Sequence, residues 1–165
     1  MTRWLIATAR ALLAAGMMAG MVAGAAPAGP LTPRPGWEVI ATGLDYPGLL
    51  ARLRGAIRAE GFGLVTEAGP TEAARSRGIA IPGNRVLGVF RNDYAVRILR
   101  LSTAAMIEAP IRFYVTENPD GTATLAWKRP SHVLAPYLDE GGAELARAAE
   151  ELDAAFAAIA ARALR

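Results

Sequence analysis

The sequence predicts a single unit in which α-helices and β-strands alternate, and three stretches carry that prediction. Ile111 to Thr116 alternates cleanly, with Ile111, Phe113 and Val115 on one face and Arg112, Tyr114 and Thr116 on the other. Asn118-Pro119-Asp120-Gly121 then makes a tight turn, and Thr122 to Trp127 returns as the hairpin partner. Near the end, Leu145, Ala149, Leu152, Phe156, Ile159 and Ala163 recur every three or four residues, which marks an amphipathic helix from Ala143 to Leu164. At 22 residues it is about 33 Å long. Its acids gather toward the N-terminal half and Arg162 and Arg165 close it, the order the helix dipole favours.

The remaining elements follow in order. Gly29 to Gly36 is dense in Pro and Gly and reads as a linker. Trp37 to Thr42 is β-branched and alternating, hence a first strand. Asp45 caps the helix that follows, with Pro47 in its first turn. Leu49, Leu50, Leu53, Ala56 and Ile57 form its apolar stripe, and Gly61 stops it. Phe62 to Thr66 is a second strand, and Glu72 to Arg77 a short helix ending at Gly78. Asn84 to Phe90 holds the continuous run Val86-Leu87-Gly88-Val89-Phe90, which predicts a strand buried on both faces. Asn92 is placed to cap a helix over Asp93 to Leu101, where Tyr94, Ile98 and Leu101 share a face. After Pro130 a short helix is expected from Ser131 to Leu138.

At 165 residues the chain suits one domain with one core. With 53% hydrophobic and 20% charged residues it is not a disordered polymer. The lack of Cys excludes a disulfide framework, a thiolate zinc site, a thiol nucleophile and a lipid-anchoring cysteine, and one His excludes a multi-histidine metal site. Residues 1–10 carry Arg3 and Arg10 and no acid. An apolar run from Ala11 to Gly24 and the small residues Ala25-Ala26-Pro27-Ala28 complete a secretory signal peptide, cleaved after Ala28 or after Ala25. The alternative is an uncleaved membrane anchor, since Ala11 to Ala28 reaches the lower limit of a span, but Ala and Gly insert weakly. The division expected is residues 1–28 signal peptide, 29–36 linker and 37–165 a single domain. Losing residues 1–28 lowers the net charge from +3 to +1, so the basic balance belongs to the leader and implies no nucleic-acid partner.

Gly61-Phe62-Gly63-Leu64-Val65-Thr66, Arg85-Val86-Leu87-Gly88-Val89-Phe90 and Ala109-Pro110-Ile111-Arg112-Phe113-Tyr114-Val115, followed by the Asp120-Gly121 hairpin, resemble domain-of-unknown-function family 302. The resemblance spans about residues 37–164. It implies an α+β fold in two layers, an antiparallel sheet packed against helices with TATA-binding-protein-like topology, often as a homodimer. It implies no established activity, and likeness to a DNA-binding saddle does not imply DNA binding.

The chemistry-bearing candidates are few. Ser131, His132 and Asp139 contain the residue types of a catalytic relay, but adjacent Ser and His side chains diverge; the plainer reading is that Ser131 caps a helix and His132 lies at or near the surface. His132 with Met106 offers an axial pair for non-covalent haem, against Met106 as filler of an apolar gap. Glu117 to Gly121 lacks the alternating acids of a calcium loop. Arg75, Arg77, Arg85 and Arg91 read either as an anion-binding patch or as solvated positions beside Glu67, Glu72 and Asp93. Arg112, Tyr114, Thr124 and the trio Trp127-Lys128-Arg129 place aromatic and cationic groups on an open sheet face, with Trp127 alternatively turned inward beside Ala123 and Leu125.

The expectation is therefore an exported periplasmic binding or accessory domain with no catalytic residues and no metal. Arg112, Tyr114, Trp127 and His132 form its candidate binding surface. Its partner would be a small molecule, an envelope protein or a second copy, with membrane contact only through an uncleaved leader. Alternatives are a haem-, metal- or small-ligand-dependent enzyme and a structural partner in an envelope complex.

Overall fold

The computed structural model describes residues 31–165, so the signal peptide expected at residues 1–28 and its cleavage sites lie outside the described residues. The chain runs β1 (Trp37–Asp45), α1 (Tyr46–Ala59), β2 (Gly63–Ala68), α2 (Thr71–Ser76), β3 (Asn84–Phe90), α3 (Asn92–Leu101), β4 (Ile111–Glu117), β5 (Thr122–Lys128), α4 (Pro130–Leu134) and α5 (Leu138–Ala163), with tight 3-10 turns at Ala104–Glu108 and Ala135–Tyr137. The strands form one sheet in the order β1-β5-β4-β3-β2, every neighbouring pair antiparallel. The fold is α+β in two layers.

Local chemistry accounts for the element ends. Asp45 Oδ1 accepts the Gly48 N–H at 2.9 Å and caps α1. At its other end Gly61 takes φ +76°, and the Phe62 N–H reaches the Ile57 carbonyl while the Gly61 N–H reaches Arg58. Gly78 ends the α2 segment with the same pair of bonds, from Ile79 to Ala74 and from Gly78 to Arg75. The hairpin turn closes through the Asn118 N–H to the Thr122 carbonyl at 2.7 Å and is braced by Thr124 Oγ1 donating to Asn118 Oδ1 at 2.9 Å.

The helices pack on the face that carries Phe113, Val115, Leu125 and Leu87. The predicted stripe of α1, Leu49 to Ile57, is buried throughout, as is that of α5, Leu145 to Ala163. Phe156 of α5 stacks on Phe113 at 4.6 Å, and Phe62 meets Phe156 edge-on at 6.3 Å. A residual cavity of about 40 Å³ remains between this layer and α3, bordered by Met106, Tyr94, Ile98 and Phe156. No helix among the described residues is long and apolar enough to cross a membrane.

Several expectations change. Asn92 is the first residue of α3 rather than its cap; Arg91 holds that position with extended backbone. The short helix after Pro130 stops at Leu134, and Gly142, at φ 57° and ψ −152°, breaks α5 just before Ala143, where the predicted rod begins. β3 is buried on both faces only at Leu87, Gly88 and Val89. Within the expected linker, Gly36 is buried: Arg34-Pro35-Gly36-Trp37 is a tight turn closed by the Trp37 N–H to the Arg34 carbonyl at 3.0 Å, and the Gly36 carbonyl accepts the Arg129 N–H at 2.8 Å.

Candidate functional site

The opposite face of the sheet carries none of the long helices, and its alternation sets its surface in transverse rows. Trp37 lies beside Lys128, and Gly88 beside Arg112. Arg112 and Lys128 fall one step beyond the Phe113–Trp127 pair, so they are neighbours across β4 and β5. The next row holds Val39, Ala126, Tyr114 and Val86. Of these, Trp37, Lys128, Arg112, Tyr114 and Val86 floor a groove of about 660 Å³ whose wall is completed by Glu108 and by His132 and Val133 of α4. That volume lies within the range of small-molecule sites.

Each wall residue has a local reason for its place. The Trp37 ring has the Arg34 guanidinium 5.6 Å and the Lys128 ammonium 5.7 Å from its centroid. Tyr114 receives a hydrogen bond on its hydroxyl from the Asn84 side-chain amide. Glu108 accepts the Tyr137 hydroxyl at 2.8 Å, and this bond holds the Tyr137 phenol above its ordinary range. His132 is exposed and its ring stands over Gly36, where φ is +74° and any Cβ would overlap the imidazole. Among the described residues Arg34, Arg112 and Lys128 make no ion pair.

The structure brings all four sequence-derived surface residues, Arg112, Tyr114, Trp127 and His132, to the lining of this groove. Trp127 differs from the others: it is 4% exposed, packs on Phe113 at 5.5 Å and belongs to the core, so the inward reading applies to most of its side chain. Trp37, Arg34, Asn84 and Val86 were not singled out as site residues. Their alternation is visible in the sequence, but the register that sets Trp37 beside Lys128 is not.

The other candidates do not assemble. Ser131 does not cap its own helix. Its N–H and hydroxyl donate to Asp153 Oδ1 and Oδ2 at 2.8 and 2.5 Å, so a carboxylate on α5 caps α4 across the fold. Met106 borders the small inner cavity while His132 borders the outer groove, so the two do not face one another as an axial pair. Arg85 is tied to Glu72 and lies 3.7 Å from Glu67, and Arg91 is held by Asp93 at 2.8 Å over the rings of Tyr94 and Phe62; Arg75 and Arg77 are exposed on α2 and its end. Those four arginines form no common patch.

The architecture is that of a two-layer α+β domain with one face of its antiparallel sheet covered by helices. A family model, "Domain of unknown function DUF302", matches residues 38–159, and the chain belongs to that family. Among solved structures it is similar to the crystal structure of an uncharacterized conserved DUF302 protein from Bacillus stearothermophilus. The two share 20% identity over 79% of this chain and 98% of that one, with a TM-score of 0.68, a likeness of fold. A search of curated proteins found no match.

Proposed function

We propose that the chain is an exported binding or accessory domain, periplasmic after loss of residues 1–28, that holds its ligand on the helix-free face of the sheet. The observation that carries this reading is the groove itself: aromatic, cationic and apolar side chains converge on a concavity of about 660 Å³. The leader supplies the compartment, with its Arg3 and Arg10, its apolar run and its small residues before Gly29. Because the floor is built on four hydrogen-bonded strands, its side chains are held in place before anything binds, which lowers the entropic cost of binding.

Native mass spectrometry of protein taken from the periplasmic fraction of its own host tests all parts together. The expected species begins at Gly29, contains two copies as the family resemblance implies, and retains a small-molecule mass that is lost in Tyr114→Ala. Recovery from the cytosol with Met1 attached overturns the export reading. A retained mass indifferent to Tyr114→Ala overturns the groove reading.

A further inference from the structure

The groove sets two cations close together on one sheet face. Arg112 and Lys128 stand side by side on β4 and β5, an arrangement of like charges that destabilises a sheet. Arg34, outside the groove lining, adds a third cation 5.6 Å from the centre of the Trp37 ring. None of the three meets a carboxylate within ion-pair distance among the described residues. Glu108, the groove's carboxylate, accepts the Tyr137 hydroxyl at 2.8 Å and keeps its charge, but it lies beyond ion-pair distance of both Arg112 and Lys128 and leaves the groove one positive charge in excess.

The neighbouring row is of opposite character. Val86 and the ring of Tyr114 give the groove a largely apolar stretch one side-chain repeat away. Two residues along a strand is about 7 Å. That spacing lets an acid group at Arg112 and Lys128 sit one side-chain row from an aromatic ring or a short acyl chain over Tyr114 and Val86.

Resting on the groove reading above, we infer that the site takes a small organic anion, a carboxylate or phosphate joined to a short apolar or planar body. The head lies against Arg112 and Lys128, and the body lies over Tyr114 and Val86. The guanidinium of Arg112 offers two parallel donors to such a head, and the ammonium of Lys128 adds a point charge. An anion in this position also relieves the repulsion between the two cations, so binding and stability rise together.

Titration calorimetry of the purified protein with hexanoate, phenyl phosphate, inorganic phosphate, the neutral isosteres hexanamide and benzyl alcohol, and a short oligothymidylate tests the inference. Hexanoate or phenyl phosphate is expected to bind, and which of them binds more tightly names the head group. Arg112→Gln is expected to weaken that binding by about tenfold or more, with the circular dichroism spectrum unchanged, and about 0.5 M sodium chloride to weaken it further. Three results overturn the inference: neutral isosteres binding as tightly as the anions, no binding by hexanoate or phenyl phosphate, or oligothymidylate or inorganic phosphate binding more tightly than either. In each case the groove reading is judged separately, by whether Tyr114→Ala still releases the mass retained in the native spectrum.

Discussion

Phe113 and Tyr114 are consecutive in β4 and face opposite ways. Phe113 is fully buried between Phe156 of α5 and Trp127, while Tyr114 is half-buried and looks into the groove. The inner face is held by close packing: Leu, Phe and Ala side chains from α1, α5 and the strands fill the space and leave a cavity of about 40 Å³. The outer face has no such close-packed layer; backbone hydrogen bonds and a few polar side-chain contacts, such as Asn84 to Tyr114 and Thr124 to Asn118, hold it, and its side chains make a mixed aromatic and cationic surface. Stability and recognition are thus divided across a single pleat, and substitutions on the two sides should report on different things.

The sharpest way to break this division is to truncate both neighbours. Phe113→Ala removes a ring that contacts both layers and should cost about 3–5 kcal/mol of unfolding free energy. Tyr114→Ala, which loses a half-buried ring and the bond from Asn84, should cost about 1 kcal/mol. Urea denaturation of the two variants measures the contrast. Equal losses would show that the outer face is packed too, and that the division is false.

Much of the inner face was legible in the sequence because burial follows local periodicity. The stripes of α1 and α5 and the alternation of β4 depend only on 3.6- and 2-residue repeats. Trp127 was expected on the binding surface, yet its spacing two and four residues after Leu125 and Ala123 puts it on their buried side of β5. The outer groove was only half legible. Arg112 and Tyr114 follow from alternation, but the meeting of Arg112 with Lys128 and Trp37 depends on strand order and register, which are set by distant pairings. Asn92 and Ser131 misled for a related reason. Both are good capping residues, yet extended backbone at Arg91 begins α3, and the cap of α4 comes from Asp153, 22 residues beyond Ser131.

That cap ties the two faces together and supplies the next test. Asp153 sits on the helix layer, but α4, which it holds, carries His132 and Val133 of the groove wall. Asp153→Ala frees the Ser131 N–H and hydroxyl and should lower stability by about 1–2 kcal/mol. It should also weaken ligand binding with no groove side chain altered. A stability loss with binding unchanged would mean the α4 wall takes no part in recognition.

A smaller effect is expected from acid at the β2 edge. Glu67 accepts hydrogen bonds from Arg54, which hold its carboxyl below the ordinary value of 4.5. Because its pKa is depressed on folding, the stabilisation is complete above that ordinary value and is lost as the pH falls through the lowered one. The pair is partly exposed, so its contribution is about 1 kcal/mol or less. Thermal melts should therefore be flat near neutrality and fall in strong acid, and Glu67→Gln should make the acid limb shallower. The same slope in the variant would place the acid sensitivity in other carboxylates.

The smallest effect is the most discriminating. The Arg112 side chain makes no hydrogen bond or ion pair among the described residues and lies across from Lys128, one step beyond the Phe113–Trp127 pair, so the folded protein without ligand gains no direct pairing from its charge. Arg112→Gln should leave unfolding free energy unchanged or raise it by a few tenths of a kcal/mol, since a like-charge neighbour on the adjacent strand is relieved. Added salt should give the unaltered protein a similar small gain and the variant less, because screening acts on the same repulsion. A loss above about 1 kcal/mol would assign Arg112 a packing role through its aliphatic stem. The two faces would then share the work of folding, and the charge in the groove would no longer need a ligand to account for it.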